Sequence, residues 1–441
     1  MGETDTDAAD QFNASISRKK LDEGTPGLWH RYRRLPRNVF AISLVSLLND
    51  ASSEIIYPLL PLFLAMTLGA SPAAIGVIEG AAESVSSLLK LFAGYFSDRR
   101  GHRKGLVVFG YGLANLVRPL LAFATNWFQV LVIRMTDRVG KGIRSAPRDA
   151  MIADAVRVEE RGLAFGFHRA MDHAGAVIGP LLGYMLLLIF ARERNAPTAA
   201  DYSLVFLIAA VPAFFAVLVA AFFVREPNVE KAANLNGVAA PVKLSLRGFD
   251  GNFKRFLVIL ALFTLSNSSD AFLLLRAREA GVSVATIPLL WAALHASKVL
   301  SSLFGGDLSD RVGRKRLIAS GWMLYAAVYL CFGFVSSVGM AWVLFLIYGI
   351  YFGLAEGAEK ALVADLVRPE QRGTAYGLYN LAFGITVFPA SLLMGGLWSL
   401  RGAQTAFVVS AGLGAISALL LVTFVQVKPA NDNASAGIVN P

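Results

Sequence analysis

The chain has 441 residues, of which 55% are hydrophobic and only 16% are charged. Soluble domains carry about 25% charged residues, so this composition excludes an ordinary soluble protein and indicates one that crosses a membrane several times. The net charge of +10 does not indicate nucleic-acid binding, because Lys and Arg cluster in particular short loops. The single cysteine, Cys331, excludes an intrachain disulfide.

Apolar segments of roughly 20 residues follow one another along the chain, and each is long enough to span a bilayer as a helix. They do not alternate with a period of two, so a membrane barrel is excluded. Gly, Pro and charged breaks divide them into twelve predicted helices. The predicted ranges are 39–66, 73–97, 105–125, 126–145, 160–190, 202–224, 254–277, 284–306, 315–337, 340–364, 372–400 and 403–427.

The longest polar interruption separates the sixth and seventh predicted helices. The twelve predicted helices and this division predict an all-α integral membrane protein with two six-helix bundles. The predicted segments are a tail at 1–37, a bundle at 38–224, a linker at 225–253, a second bundle at 254–427 and a tail at 428–441.

Basic residues lie mainly in the loops on one side of the predicted membrane. The segments HRYRRLPR, DRRGHRKG and DRVGRKR belong to that side, whereas the connections TLGASPAA, FATNW and SSVGM carry almost no Lys or Arg. The positive-inside rule therefore predicts that both tails and the central linker are cytoplasmic. We expect the protein to be integral to the cytoplasmic membrane.

The two halves of the sequence repeat. The segment GYFSDRRGHRKG at 94–105 recurs as GGDLSDRVGRKR at 305–316, which aligns Asp98 with Asp310. The segment RDAMIADAVRVEERGLAFGF at 148–167 recurs as EKALVADLVRPEQRGTAYGL at 359–378, with Asp154 aligned with Asp365. Two unrelated motifs with nearly the same offset predict a six-plus-six duplication around a pseudo-twofold axis, which is a transporter architecture.

These motifs resemble the major facilitator superfamily over nearly the whole chain. GYFSDRRGHRKG resembles the family's signature in the loop between helices 2 and 3, with His102 in place of a basic residue, and GAVIGPLLG resembles the fifth-helix signature of antiporter branches. The resemblance implies a secondary transporter that works by alternating access. It implies a cytoplasmic gate formed by Asp98, Arg99, Arg103, Asp310, Arg311 and Arg314. Within the segment GAVIGPLLG, Gly175, Gly179 and Gly183 are spaced by four on one helix face, which predicts close helix packing beside Pro180.

Charged residues lie inside the predicted helices, where a carboxylate near the bilayer centre costs about 2.5–3.5 kcal/mol. Arg134 stands where the family has its cavity arginine, although Arg138 stands where a glycine is common. Candidate proton-coupling or substrate residues in the first half are Asp50, Glu54, Glu79, Glu83, Arg134, Asp137, Asp172 and His173. Cavity candidates in the second half are Asp270, Lys298 and Glu356, and Lys298 and Glu356 are lone candidates of opposite sign across the cavity.

Acids outnumber bases among the buried charges of the first half, so at least one acid is expected to titrate, as proton coupling requires. The structural alternative is a set of static ion pairs, including local pairs between Arg134 and Asp137 and between Arg169 and Asp172. We interpret Arg118 as structural or interfacial. A divalent-metal site on carboxylates and His173 stays open, although no metal-ligand motif is present and we assign no metal ligand.

The sequence thus predicts a transporter rather than an enzyme, which exports a small polar or charged solute by proton antiport. We expect no cofactor beyond the proton gradient, no nucleic-acid partner, and function as a monomer in the lipid bilayer. A proton-coupled importer of a charged metabolite or metal chelate is the first alternative. A membrane sensor or intramembrane enzyme is an alternative of another class. No phosphate-binding loop of the Walker type is present, so we do not expect ATP hydrolysis.

Overall fold

A computed structural model describes residues 33–100, 103–157, 160–226, 246–368 and 371–426, without the side chains of residues 94–100, 162, 303–307, 309–310 and 373. Twelve long helical segments follow one another in these ranges, and no strand is present among the described residues. The first six are α1 (Arg37–Ile56, continuing as Leu60–Leu62 and Phe63–Thr67), α2 (Pro72–Arg100), α3 (Arg103–Val117, continuing as Arg118–Phe123), α4 (Trp127–Ala155), α5 (Arg161–Phe190) and α6 (Ala199–Ile208 with Ala210–Phe222). The second six are α7 (Gly251–Ser266 with Ala271–Glu279), α8 (Ile287–Val312), α9 (Arg314–Gly333), α10 (Val338–Asp365), α11 (Arg372–Arg401) and α12 (Ala403–Phe424).

The helices are apolar enough to cross a membrane, with two informative exceptions. Ten of the twelve qualify by length and composition, whereas α2 and α4 fall short because charged residues lower their hydropathy. Large apolar side chains point outward, such as Leu116 and Leu400, which are 75% and 81% exposed. A lipid environment satisfies such a surface, as water would not. The prediction of an all-α membrane protein with twelve helices in two bundles is confirmed.

The start of α1, the end of α6, the start of α7 and the end of α12 lie at one end of the molecule, which we call the terminal end. Asn38 Nδ2 donates to Arg225 O at 3.0 Å, so that the start of α1 lies beside the end of α6. In the second half, Gln426 N donates to Asn252 Oδ1 at 2.9 Å, which places the end of α12 beside the start of α7. The opposite end, the far end, carries the α5–α6 and α7–α8 connections.

Side-chain caps begin several helices at the far end. Asn126 accepts a hydrogen bond from Gln129 N at the start of α4, and Ser337 accepts one from Met340 N at the start of α10. Thr198 and Asp201 form a reciprocal capping box at the start of α6. These caps satisfy backbone N–H groups that a helix start leaves unpaired, and so define where the spans begin.

Each bundle packs mainly within itself, and two helix pairs join the bundles. In the first half α1 packs against α5, and α3 and α2 pack against α4, while in the second half α8 packs against α10 and α9 against α12. Between the halves, α2 packs along α11 and α5 packs against α8. The second part of α7 also contacts α1 and α2 of the other half.

Candidate functional site

A cavity of about 480 Å³ lies between the two halves. Its volume falls in the range of roughly 300–1,000 Å³ that is usual for small-molecule sites. The first half contributes Tyr57, Glu79, Glu83, Ser87, Lys90 and Arg138. The charged and aromatic residues that the second half contributes are Phe263, Asp270, Tyr351, Phe352, Glu356, Glu359, Lys360, Tyr379 and Phe383.

Two buried ion pairs fix the first-half wall. Arg134 Nη2 donates to the two carboxylate oxygens of Glu79 at 3.0 and 2.9 Å, which ties α4 to α2. Arg118 Nη2 donates to Asp137 Oδ1 at 2.8 Å, which ties the end of α3 to α4. The alternative of a local pair between Arg134 and Asp137 is therefore wrong, because the two side chains face different neighbouring helices. Arg118 has the structural role that its sequence position indicated.

The arginine that lines the cavity is Arg138, one helical turn after Arg134. Its buried Nε has no acceptor, and the guanidinium makes no hydrogen bond to any residue that the structure describes. Glu83 interacts electrostatically with Arg138, Lys141 and Lys90. Arg138 therefore stands in a group where three cations surround one acid, whereas Arg134 is already neutralised by Glu79.

The second-half wall opens where α7 is interrupted between Ser266 and Ala271. Residues 267–270 of this interruption all line the cavity. Asn267 Nδ2 donates to Tyr351 OH at 3.2 Å, and Tyr348 OH donates to Asp270 Oδ1 at 2.8 Å. An interrupted membrane helix exposes backbone groups that need partners, and such breaks are found where a helix borders a cavity.

The charges of α10 and α8 differ from the arrangement that the sequence predicted. Lys298 lies 3.6 Å from Asp270 Oδ2 and over the ring of Phe352, and it does not line the cavity. Glu356 accepts a hydrogen bond from Lys360 at 3.1 Å, four residues further along α10. Lys298 and Glu356 are therefore not lone charges, because each has a partner of opposite charge.

Glu359 is a buried carboxylate on the same wall. It accepts hydrogen bonds of 2.8 Å from Trp322 Nε1 and from Tyr379 OH. Both donors are neutral, and no described cation forms an ion pair with this carboxylate. The second-half wall thus has an acid that is hydrogen-bonded but not neutralised.

Asp50 and Glu54 lie outside the cavity lining, where α1 meets α5 and α8. Asn49 Nδ2 donates to Asp50 Oδ1 at 3.0 Å. Trp291 Nε1, from α8 of the other half, donates to Glu54 Oε2 at 2.8 Å. Glu54 is therefore at the seam between the halves, Asp50 lies where α1 packs against α5, and neither acid lines the cavity.

Glycines on one face of α5 allow Asp50 and Glu54 on α1 to lie close to this helix. A Cβ at Gly175 would lie 2.6 Å from Leu47 O, and a Cβ at Gly179 would lie 2.7 Å from the Cβ of Glu54. Gly183 continues the face, and Pro180 lies within the helix beside it. Because side chains larger than hydrogen would push α1 away, these glycines set how closely the two acids approach α5.

Asp172 and His173 belong to the same seam. His168 Nε2 lies 3.6 Å from Asp172 Oδ2, so the predicted local partner of Asp172, Arg169, is wrong. Asp172 also interacts electrostatically with Asp50. His173 interacts electrostatically with His295, whose ring contacts that of Trp291 at a centroid distance of 5.0 Å. No group of three or more His, Cys, Asp and Glu among the described residues has the geometry of a metal site, so the metal alternative at His173 lacks a ligand set.

The predicted gating residues are only partly described. Asp98, Arg99 and Asp310 lie on helix ends, but their side chains are outside the described residues, and Arg311 is exposed at the end of α8. Arg103 forms an ion pair with Asp154, and Arg314 forms one with Asp365. Arg103 and Arg314 are the first residues of α3 and α9, so each half carries a corresponding pair within itself. The gating role stays a prediction.

Several residues of the site were not among the candidates from sequence, and Arg138, Glu359 and Trp291 are the most informative of them. Arg138 and Glu359 follow Arg134 and Glu356 at helical spacings of four and three residues, which is a signal that could have found them. Trp291 gave no signal, because an aromatic residue in an apolar helix is indistinguishable from a packing residue until its neighbour across the seam is known.

Comparison with known sequences identifies the family of this architecture. A sequence profile described as Major Facilitator Superfamily matches residues 42–275 and 255–439. An uncharacterized MFS-type transporter of Methanocaldococcus jannaschii is 35% identical over 396 residues, which cover 88% of this chain and 95% of that protein. The multidrug resistance protein MdtG of Salmonella arizonae is 26% identical over 405 residues, covering 87% of this chain and 94% of the relative.

Comparison with solved structures shows the same fold. A bacterial homolog of the human lysosomal transporter Spinster, in an inward-facing and occupied conformation, aligns with a TM-score of 0.72 at 17% identity, covering 88% of this chain and 96% of that one. The nucleoside transporter NupG aligns with a TM-score of 0.72 at 13% identity, covering 88% of this chain and 99% of that one.

Proposed function

Because the chain belongs to the major facilitator superfamily, and is therefore a membrane-spanning transporter rather than an enzyme, we propose that it exports a small polar or charged solute in exchange for protons. The solute binds in the cavity between the halves. Protons bind at the neighbouring seam formed by α1, α5 and α8.

Alternating access is supported by where the two halves are hydrogen-bonded. At the far end Ala285 N donates to Arg194 O at 3.1 Å, and Arg278 Nη2 donates to Asn195 O at 3.0 Å. Ala73 N donates to Ser399 Oγ at 3.1 Å along the α2–α11 seam. Hydrogen bonds between described residues of the two halves all lie at or beyond the middle of the molecule. This pattern fits a carrier that is closed at the far end, and a rocking motion would exchange these bonds for contacts at the terminal end.

The side of the membrane that the closed far end faces follows from the charge asymmetry of the loops. The positive-inside rule places the terminal end in the cytoplasm, so the closed far end faces outward. We place the protein in the cytoplasmic membrane with both tails inside. Export is further supported by the relatives named multidrug resistance protein, since export of a toxic compound is one way for a membrane transporter to give resistance.

The observation that carries proton coupling is the hydrogen bond from Trp291 to Glu54. It crosses the seam, and its acceptor is a carboxylate that no described cation neutralises. An ionised acceptor makes a charge-assisted hydrogen bond, and a protonated one makes a weaker neutral bond. The protonation state of Glu54 therefore changes the free energy of one link between the halves.

Several charged groups face this seam from every neighbouring helix, and they make proton binding sensitive to the solute. They are Asp50 on α1, Arg138, Lys141 and Arg144 on α4, His168, Asp172 and His173 on α5, and His295 on α8. Arg138 borders both the seam and the cavity. A solute that binds Arg138 would alter the field at Glu54, which is the coupling that antiport needs.

The test uses everted membrane vesicles that contain the protein, with an acidic lumen and a panel of amino acids, organic cations and organic anions. Antiport predicts that at least one solute accumulates inside and that its addition releases lumenal protons. Accumulation only in right-side-out vesicles with an acidic exterior would instead indicate proton-coupled import. Movement of solute without any proton movement would exclude coupling in either direction.

A further inference from the structure

The two walls of the cavity have opposite electrostatic character. The first-half wall has cations that lack ion-pair partners, and the second-half wall has acids that accept hydrogen bonds from neutral side chains. This difference selects a solute only if the cavity is the solute site, so the identity of the solute rests on the proposed transport function.

Arg138 and Lys90 are the cations that face the cavity from the first half. The Nε of Arg138 is buried without an acceptor, and neither side chain hydrogen-bonds to a described residue. Lys141 adds a third positive charge beside them, and Glu83 is the acid that all three share. Glu79 does not reduce this excess, because Arg134 already occupies both of its carboxylate oxygens. The wall therefore has a positive charge that an anionic group could neutralise.

Glu359 and Asp270 are the corresponding acids of the second half. Trp322 and Tyr379 donate to Glu359, and Tyr348 donates to Asp270, so the shortest contacts of both acids are with neutral groups. Lys298 lies 3.6 Å from Asp270 but also over the ring of Phe352, at 3.6 Å from its centroid. Glu356 differs, because Lys360 pairs with it directly. The second-half wall thus favours a cation.

Aromatic rings border the acids and define what lies between the two charged ends. Phe263, Tyr351, Phe352, Tyr379 and Phe383 line this side of the cavity. Ring faces bind an ammonium group through cation–π attraction and also pack against an apolar body. The middle of the solute is therefore apolar or aromatic.

We infer that the cavity binds a zwitterion with an apolar or aromatic body, whose anionic group contacts Arg138 and Lys90 and whose cationic group contacts Glu359 and Asp270. A simple cation would leave Arg138, whose Nε is buried without an acceptor, without an anionic partner, and a simple anion would leave the buried Glu359 without a cationic partner. Leaving one member of a buried charge set unpaired is strongly unfavourable. A zwitterion satisfies both walls at once, and its orientation in the cavity is fixed.

Binding to the purified full-length protein tests this orientation without any ion gradient. The probes are two zwitterions, L-phenylalanine and 4-(aminomethyl)benzoate. Each is compared with its N-acetyl derivative, which keeps only the anion, and with its carboxamide, which keeps only the cation. Thermal stabilisation and calorimetric affinity are measured for the wild type and for Arg138→Gln, Arg138→Lys and Glu359→Gln. At least one zwitterion is expected to bind roughly tenfold or more tightly than both of its derivatives, since each lost contact is a charge-assisted hydrogen bond.

The variants assign each end of the zwitterion to its wall. In Arg138→Gln the carboxamide should bind as well as the zwitterion, and Arg138→Lys should restore part of the difference. In Glu359→Gln the N-acetyl derivative should bind as well as the zwitterion. Retained binding of the carboxamide by Arg138→Gln, and of the N-acetyl derivative by Glu359→Gln, shows that each variant is folded.

Three results would overturn the inference: no zwitterion binding, equal or tighter binding of the derivatives, or a preference that survives both substitutions. These results are separable from the fate of the transport proposal. Proton-driven movement of a lipophilic cation, without zwitterion binding, would refute the zwitterion and leave antiport standing. Zwitterion exchange without proton movement would refute proton antiport and leave the zwitterion inference standing.

Discussion

Trp291 on α8 donates a 2.8 Å hydrogen bond to Glu54 on α1, and the bond joins the two halves of the molecule beside the central cavity. The ring of Trp291 also packs against Tyr57, one turn after Glu54, at a centroid distance of 5.2 Å. Tyr57 lines the cavity. The seam and the cavity are thus neighbours that lie about one helical turn apart along the chain.

Removing the indole N–H should weaken the closed far end. In Trp291→Phe the aromatic packing stays and the bond to Glu54 is lost, at a cost of about 1.5–3 kcal/mol for a hydrogen bond to a charged group. Spin labels on cysteines at residues 195 and 280, in a Cys331→Ser background, should report a larger share of long distances at the far end.

A matched control for this variant lies inside the second half. Trp322 also donates its indole N–H to a glutamate, Glu359, but that bond does not cross between the halves. Trp322→Phe should leave the distance between the labels unchanged. Equal shifts in both variants would show that the far end responds to general loosening and not to the bond at the seam.

The Glu79–Arg134 pair should be a stability element. Both side chains are buried, so Arg134→Gln leaves a buried carboxylate without its counter-charge and should lower the free energy of unfolding by about 3–5 kcal/mol. The double variant Glu79→Gln/Arg134→Gln should lose less than the sum of the single variants. Unfolding in detergent measures both. Glu279→Gln removes an exposed pair with Arg276 and should change stability by about 1 kcal/mol or less.

The glycine face of α5 gives a steric prediction. A methyl group at Gly179 would lie 2.7 Å from Glu54 Cβ, so Gly179→Ala should push α1 from α5, lower stability by about 1–3 kcal/mol and reduce transport. Gly166, on the same helix, has open space where its Cβ would be. Gly166→Ala should be close to wild type in melting temperature and transport, and a loss as large as that of Gly179→Ala would refute the packing argument.

The repeated pairs at the terminal end should differ in strength. The side chain of Asp154 is 12% exposed and that of Asp365 is 35% exposed, so water screens the second pair more. Asp154→Asn should therefore destabilise the protein more than Asp365→Asn, whose cost should be about 1 kcal/mol or less. Melting temperatures of the two variants, measured side by side, check the order. A reversed order would show that partners other than Arg103 and Arg314 dominate.

The fold could be predicted from sequence because it depends on properties that one helix carries alone. Helix length and apolar composition are local, the internal repeat is visible in the sequence itself, and together they lead to twelve helices in two bundles. The structure extends the fourth helix to Ala155, well beyond its predicted end at residue 145, because charged residues lower the hydropathy on which the predicted end was based.

The site was harder to predict, since its chemistry depends on how the helices are rotated against one another. Spacing along α4 cannot tell that Arg134 faces Glu79 on α2 while Arg138 faces the cavity. Likewise, the sequence places Asp50 and Glu54 on one helix face, but only the packed bundle shows that this face meets α5 and α8. Tertiary partners decided which charges are static and which are available to a solute or a proton.

The most direct test of proton coupling is Glu54→Gln in proteoliposomes, assayed with a solute that the wild type transports. The glutamine side chain in this variant keeps a hydrogen-bond acceptor for Trp291 and cannot release a proton. We predict that solute exchange at equal pH on both sides stays within a few-fold of wild type, while accumulation driven by a pH gradient and the accompanying proton flux are lost. Undiminished accumulation and proton flux in Glu54→Gln would contradict the account.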